Sequence, residues 1–274
     1  MYPTQACNAT PSEMERIESA AWLDLYLAAN AKIVSNFDLR SATVGDTPVL
    51  GSSGIPISEF NRAFMMDDHA ETQLGDIVAW LKNNAARDFA LQLAADASTA
   101  RLQTRARSEG FAPAGNGWSK LFKNIAFQGD GEAPKIDALT ILTDPEPKLY
   151  GQLVVDSMIL PSLTADWFSA LLGRPHWHIF VAVVGERAVG SGAMYVEDKW
   201  AWFGIDGTLE DSRRMGIQAA LIQVRSQMAR KLGALYLTAE TGRPEKATGS
   251  HTSRNNYLRN GFTEAYHRLN FKLG

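Results

Sequence analysis

Apolar positions recur at helical spacing through Ile217, Leu221, Val224, Met228 and Leu232 and stop before Gly233, which predicts a helix over 214–232. Ahead of it, 178–184 is an unbroken apolar run that turns at Gly185-Glu186. Segments 188–196 and 199–208 follow as antiparallel partners joined at Glu197-Asp198. A short strand over 137–143 and helices over 148–159 and 165–172 come before these. A buried-type strand over 234–239, a short helix over 253–260 and a strand over 262–271 come after. The predicted order is β-α-α-β-β-β-α-β-α-β.

The first half repeats the later part of that order. A helical pattern over 12–34 precedes a strand over 59–66, a helix over 71–86, a strand over 89–95, a helix over 98–109 and strand material over 111–122. Both halves carry helix, strand, helix, Gly-Phe, strand: Glu109-Gly110-Phe111 in one, Asn260-Gly261-Phe262 in the other. This predicts an α/β protein made of two similar domains, 1–133 and 134–274, joined by a Gly/Pro-bearing linker over 128–134. Chance is the competing account, because αβαβ orders are common.

The chemistry concentrates where the strand over 199–208 runs into the long helix, at Arg213-Arg214-Met215-Gly216-Ile217-Gln218. First-turn N–H groups of a helix have no intrahelical partner, and the helix dipole adds positive potential there. Two arginines and a backbone-exposing glycine at such a point predict a cradle for a diphosphate. A solvated basic helix face is the alternative.

Composition agrees with an ordinary globular protein. The 274 residues are 45% hydrophobic and 21% charged, enough for two domains. The single cysteine, Cys7, excludes an internal disulfide framework and a cysteine-based metal cluster, and fits a reducing, cytoplasmic setting. No apolar run approaches the roughly 18 residues that span a bilayer. The start lacks a signal-peptide pattern, so the Asn8-Ala9-Thr10 sequon is read as accidental. The charge of -3 is uneven: residues 1–133 hold 11 basic and 16 acidic side chains, whereas 213–272 hold 11 basic and 3 acidic. That local excess suits a small polyanion better than nucleic acid. His176 and His178 lack further ligands nearby, so no metal site is expected. Trp167, Trp177, Trp200 and Trp202 are either core or the wall of a substrate pocket.

The second half resembles the GNAT superfamily of acyl-CoA-dependent N-acyltransferases. The family's phosphate motif is Arg/Gln-x-x-Gly-x-Gly/Ala between a central strand and the main helix, matched by Arg213 to Gln218. Its late helix carries a tyrosine four residues before Gly-Phe, matched by Tyr257 before Gly261-Phe262. The likeness covers about 136–274, and it departs from the family at Gln218, where Gly or Ala is usual. The first half looks like a degenerate copy: it has Met65-Met66-Asp67-Asp68 before its helix, and aspartates there repel a diphosphate.

The resemblance implies a mixed, mostly antiparallel central sheet flanked by helices, with acetyl-CoA as co-substrate and no metal. It implies direct transfer of the acetyl group to a small-molecule or protein amine. Cofactor contacts fall on Thr208, Leu209, Arg213, Arg214, Met215, Gly216, Ile217, Gln218 and Ala219, with Asn256 on the late helix. Tyr257 is the candidate general acid, and Asp206 and Glu240 are candidate bases or entries to a water chain. A non-catalytic acyl-CoA-binding or regulatory module is the alternative. Neither nucleic acid nor membrane is expected as a partner, and monomer and homodimer both stand.

Overall fold

The computed structural model describes residues 10–126, 134–244 and 251–274. Helix α1 (Pro11–Leu27) opens with a capping box, in which the Thr10 hydroxyl accepts from the Glu13 N–H and the Glu13 side chain accepts from the Thr10 N–H. Asn30 caps α2 (Ala31–Phe37) through the Ile33 N–H at 3.0 Å, so the single helix expected over 12–34 is two. A hairpin of β1 (Leu39–Val44) and β2 (Thr47–Ser52) follows, to which the hydrophobic pattern assigned no element. The strand expected over 59–66 shrinks to β3 (Arg62–Ala63), because residues 58–60 turn into a short 3-10 helix. The first half then runs through α3 (Leu74–Asn84), β4 (Leu91–Ala94), α4 (Ala100–Ser108) and β5 (Phe111–Asn124).

The second half keeps its predicted order. It contains β6 (Leu139–Leu142), α5 (Pro147–Met158), α6 (Thr164–Ser169), β7 (Trp177–Val184), β8 (Arg187–Glu197) and β9 (Trp200–Thr208). Helix α7 (Ile217–Lys231), β10 (Tyr236–Gly242), α8 (Thr252–Arg259) and β11 (Thr263–Leu273) complete it. The linker expected over 128–134 lies outside the described residues except for Pro134.

One eight-stranded sheet takes strands from both halves in the order β4-β11-β5-β10-β9-β8-β7-β6, beside a three-stranded sheet β1-β2-β3. The halves trade their last strands: β5 lies between β10 and β11, and β11 lies between β4 and β5. Read from either end, the segment β4-β11-β5-β10 has the same pattern of strand, exchanged strand, exchanged strand, strand. All pairs along it are antiparallel, and β9 and β10 make the sheet's parallel contact. That contact runs only from Tyr236 opposite Trp200 to Ala239 opposite Phe203. Beyond it β9 and β10 part, and the gap positions the site.

Two layers cover the sheet. One face packs on α1, α5 and α6 through Ile17, Leu25, Tyr150 and Trp167; the other packs on α7 and α8 through Phe203, Leu221 and Tyr257. A third cluster, with Leu74, Leu81 and Leu102, lies under α3 and α4. Trp167, Trp177, Trp200 and Trp202 are all buried in the first of these cores. Their aromatic surface is spent on packing.

Candidate functional site

A cavity of about 1090 Å³ opens where β9 leaves the sheet and α7 begins. Its wall includes Asp206, Gly207 and Thr208 from β9, the loop and first turn of α7, and the start of α8. Gly216 is the N-cap of α7, with φ +88° and no side-chain capping bond. Only glycine takes that backbone angle without strain. Ile217, Gln218 and Ala219, whose N–H groups form the open first turn, border the cavity together with Arg213 and Arg214. Cationic side chains and an uncapped helix start converge there, which is the chemistry of an anion site.

Of the residues assigned to cofactor binding, Thr208, Arg213, Arg214, Gly216, Ile217, Gln218, Ala219 and Asn256 line this groove. Leu209 and Met215 do not. The Leu209 N–H donates to the Val189 carbonyl at 2.9 Å, and the Met215 side chain is exposed. The Gln218 amide donates to Ser253 Oγ at 2.8 Å and accepts from Asn256 Nδ2 at 2.8 Å. The side chain that departs from the family motif thus ties α7 to α8.

A bulge decides where the Asp206 carboxylate points. Between the pairs Ser191–Gly207 and Ala193–Gly204, β9 holds one residue more than β8, and Ile205 sits at φ +54°. The extra residue turns Asp206 toward α7. There Arg225 Nη1 and Nη2 donate to its two oxygens at 2.5 and 3.0 Å, and Tyr257 Oη donates to Oδ2 at 2.6 Å. Arg225 is fully buried, also donates to the Ala193 carbonyl at 3.0 Å, and lies over the Phe203 ring. Burial alone would favour a neutral guanidinium, but the Asp206 charge outweighs it and holds Arg225 protonated. Burial, and then the Asp206 charge, push the Tyr257 phenol well above its ordinary value. Tyr257 is a buried neutral phenol whose hydroxyl donates to Asp206.

Glu240 points to the opposite face. It accepts from Arg62 Nη1 at 3.1 Å and Arg268 Nη1 at 2.5 Å. Glu18 and Lys120 bond to each other in the same cluster, and Arg268 also reaches Glu18 at 2.6 Å and Glu15 at 2.8 Å. Three cations meet three carboxylates almost entirely out of water. Burial raises the Glu240 carboxyl above the usual range, whereas in Glu18 burial is outweighed by Arg268, Lys120 and Arg62, which hold it well below. Glu240 does not border the groove.

The hydrophobic pattern missed three residues. His251 and Arg259 line the groove. Burial, reinforced by Arg254, lowers the His251 pKa, so its imidazole is neutral at pH 7; its buried Nδ1 bonds to no described residue. Arg225 was legible only as a charge on the apolar stripe of α7, four residues after Leu221. A charge in that register signals a buried partner.

No protein-family model and no curated protein sequence matches the chain. Solved structures do. A GCN5-related N-acetyltransferase from Kribbella flavida aligns with TM-score 0.63 at 14% identity, over 96% of each chain. One from Sphaerobacter thermophilus aligns with TM-score 0.60 at 16% identity, over 82% of this chain and 79% of that one. An acetyltransferase of the GNAT family from Colwellia psychrerythraea aligns with TM-score 0.53 at 10% identity, over 97% and 98%. At such identities the likeness establishes the fold, which is the GNAT fold. No helix among the described residues is long and apolar enough to cross a membrane.

Proposed function

We propose that the chain is an acyl-CoA-dependent N-acyltransferase that moves an acetyl group from acetyl-CoA to an amine. The observation that carries this reading is the groove at the start of α7, where Arg213, Arg214 and the open first turn meet the gap between β9 and β10. The diphosphate would rest on that turn, and the arm would follow the gap toward Asp206 and Gly207. Duplication belongs to the same proposal: β4-α4-β5 and β10-α8-β11 occupy equivalent places, each with a left-handed glycine before phenylalanine, Gly110 at φ +87° and Gly261 at φ +82°.

Transfer requires a neutral amine to attack the thioester carbon, forming a C–N bond. Collapse of the tetrahedral species then breaks the C–S bond and releases a thiolate. His251 is the groove residue suited to take the amine's proton, because its neutral form is favoured. The thiolate takes that proton up, so the protons balance. A phenol held above its ordinary pKa is a weak donor to a thiolate. Tyr257 therefore serves by holding Asp206, and Glu240 serves the buried charge cluster.

A second reading keeps the groove without the chemistry. It is favoured by the Tyr257–Asp206 bond, which occupies the acid that the GNAT resemblance names. Calorimetric titration with acetyl-CoA and with CoA tests both. One site per chain, lost in Arg213→Glu, supports the groove; turnover of an amine panel that falls in His251→Gln then separates enzyme from binding module. Absence of binding by either ligand would overturn both readings.

A further inference from the structure

The first half holds a cavity of its own, of about 390 Å³, between the start of α1, the loop after β3 and the turn after β4. That volume falls within the range of small-molecule sites, about 300–1000 Å³. Met65, Met66 and Ala94 supply apolar wall, and Glu15, Asp67 and Asp96 supply carboxylates. No lysine, arginine or histidine is among the described residues that line it.

The carboxylates are not equally spent. Glu15 is neutralised by Arg268, which reaches it with two bonds of 2.8 Å. Among the described residues, the Asp67 side chain accepts from the His69 N–H at 2.9 Å alone, and the Asp96 side chain from the N–H and hydroxyl of Ser98 alone, at 2.9 and 2.5 Å. All these bonds end on Oδ1, and neither aspartate pairs with a cation among the described residues. Two carboxylates with no ion-pair partner among the described residues therefore border a largely apolar space.

The place in the fold is the counterpart of the α7 groove. In each case a strand, β3 or β9, gives way to a loop and helix that face the start of the helix after the next strand it touches, α4 after β4 or α8 after β10. Strands β3 and β4 lie in different sheets, whereas β9 and β10 are paired. The sign of charge is reversed: arginines border one socket and aspartates the other. An anion that suits the first is repelled from the second.

We infer that this cavity is a second ligand site, built for a small organic ammonium ion with an apolar body. It shares no lining residue with the α7 groove, so it stands or falls apart from the acyl-transfer reading.

The test is a titration of the full chain, labelled at its methionine methyl groups, with hexylammonium, 1-hexanol and hexanoate. Hexylammonium should shift the Met65 and Met66 methyl signals and bind roughly tenfold or more tighter than hexanol, with hexanoate weaker still. Asp67→Asn with Asp96→Asn keeps the Oδ1 acceptors and should abolish the preference for the ammonium ion. Ala94→Phe should fill the cavity and remove binding. Equal affinity for hexanol and hexylammonium, absence of binding, or a preference that survives the double substitution would overturn the site. The methyl spectrum of each variant, with acetyl-CoA titrated into the same sample, reports whether the fold and the other groove are intact.

Discussion

Tyr257 Oη donates to Asp206 Oδ2 at 2.6 Å, across 51 positions of chain. The bond joins the residue that family resemblance makes a proton donor to the carboxylate that borders the groove, and in the function proposed above the phenol holds Asp206. In Tyr257→Phe, turnover should fall by less than about tenfold and acyl-CoA affinity should hold, while stability drops by ~1 kcal/mol from the lost hydrogen bond. Steady-state kinetics with a thermal melt checks this. A fall of about 10²–10⁴ in turnover would return Tyr257 to the role of general acid.

Glu240→Gln removes one of three carboxylates that balance Arg62, Lys120 and Arg268 in a buried cluster. An unmatched buried cation is costly, so the variant should lose ~3 kcal/mol of stability. Denaturant midpoints measure it. Acyl-CoA affinity should be unchanged, since Glu240 does not line the groove.

Gln218 fills the position where the GNAT pattern has a small residue, and it spends both ends of its amide on α8. Gln218→Ala should leave acyl-CoA affinity within about threefold while loosening the start of α8 by the ~1 kcal/mol that its hydrogen bonds contribute. Amide hydrogen exchange over 253–256 is the readout, and faster exchange is expected. A large loss of affinity would show instead that the amide serves the ligand.

Acid stability has a defined contributor in Asp24. Arg174 reaches its two oxygens at 2.9 and 2.6 Å, and Trp177 Nε1 donates at 2.7 Å, which fastens α1 to the start of β7. Burial alone would raise this carboxyl, but the bonds from Arg174 and Trp177 outweigh it and hold the pKa below its ordinary value. Because the folded pKa lies below the unfolded one, the contribution is complete above about pH 3.9 and is lost as pH falls through the folded value. Asp24→Asn should cost ~1–2 kcal/mol at neutral pH. The melting temperatures of variant and parent should converge as pH falls through the folded-state pKa of Asp24.

What could be read directly from the chain is what a few neighbouring residues settle among themselves. The left-handed Gly216 and the open first turn that follows the arginines are of this kind, since both are local consequences of sequence. So are the two Gly-Phe units and the order of elements in the second half. The family resemblance rests on the same local signals and points to Tyr257, while Asp206 and Glu240 stand out by strand position alone, and none of this shows that Tyr257 and Asp206 bond. The tertiary structure decided the exchange of β5 and β11, the separation of Glu240 from the groove, and the partner of Asp206. Strand side chains alternate between faces, so one extra residue at Ile205 reverses what the rest of β9 presents. Neither that bulge nor the choice of neighbouring strand is a property of any short stretch of sequence. Both lie in pairings between separate segments, β8 with β9 for the bulge and β5 with β10 and β11 for the exchange.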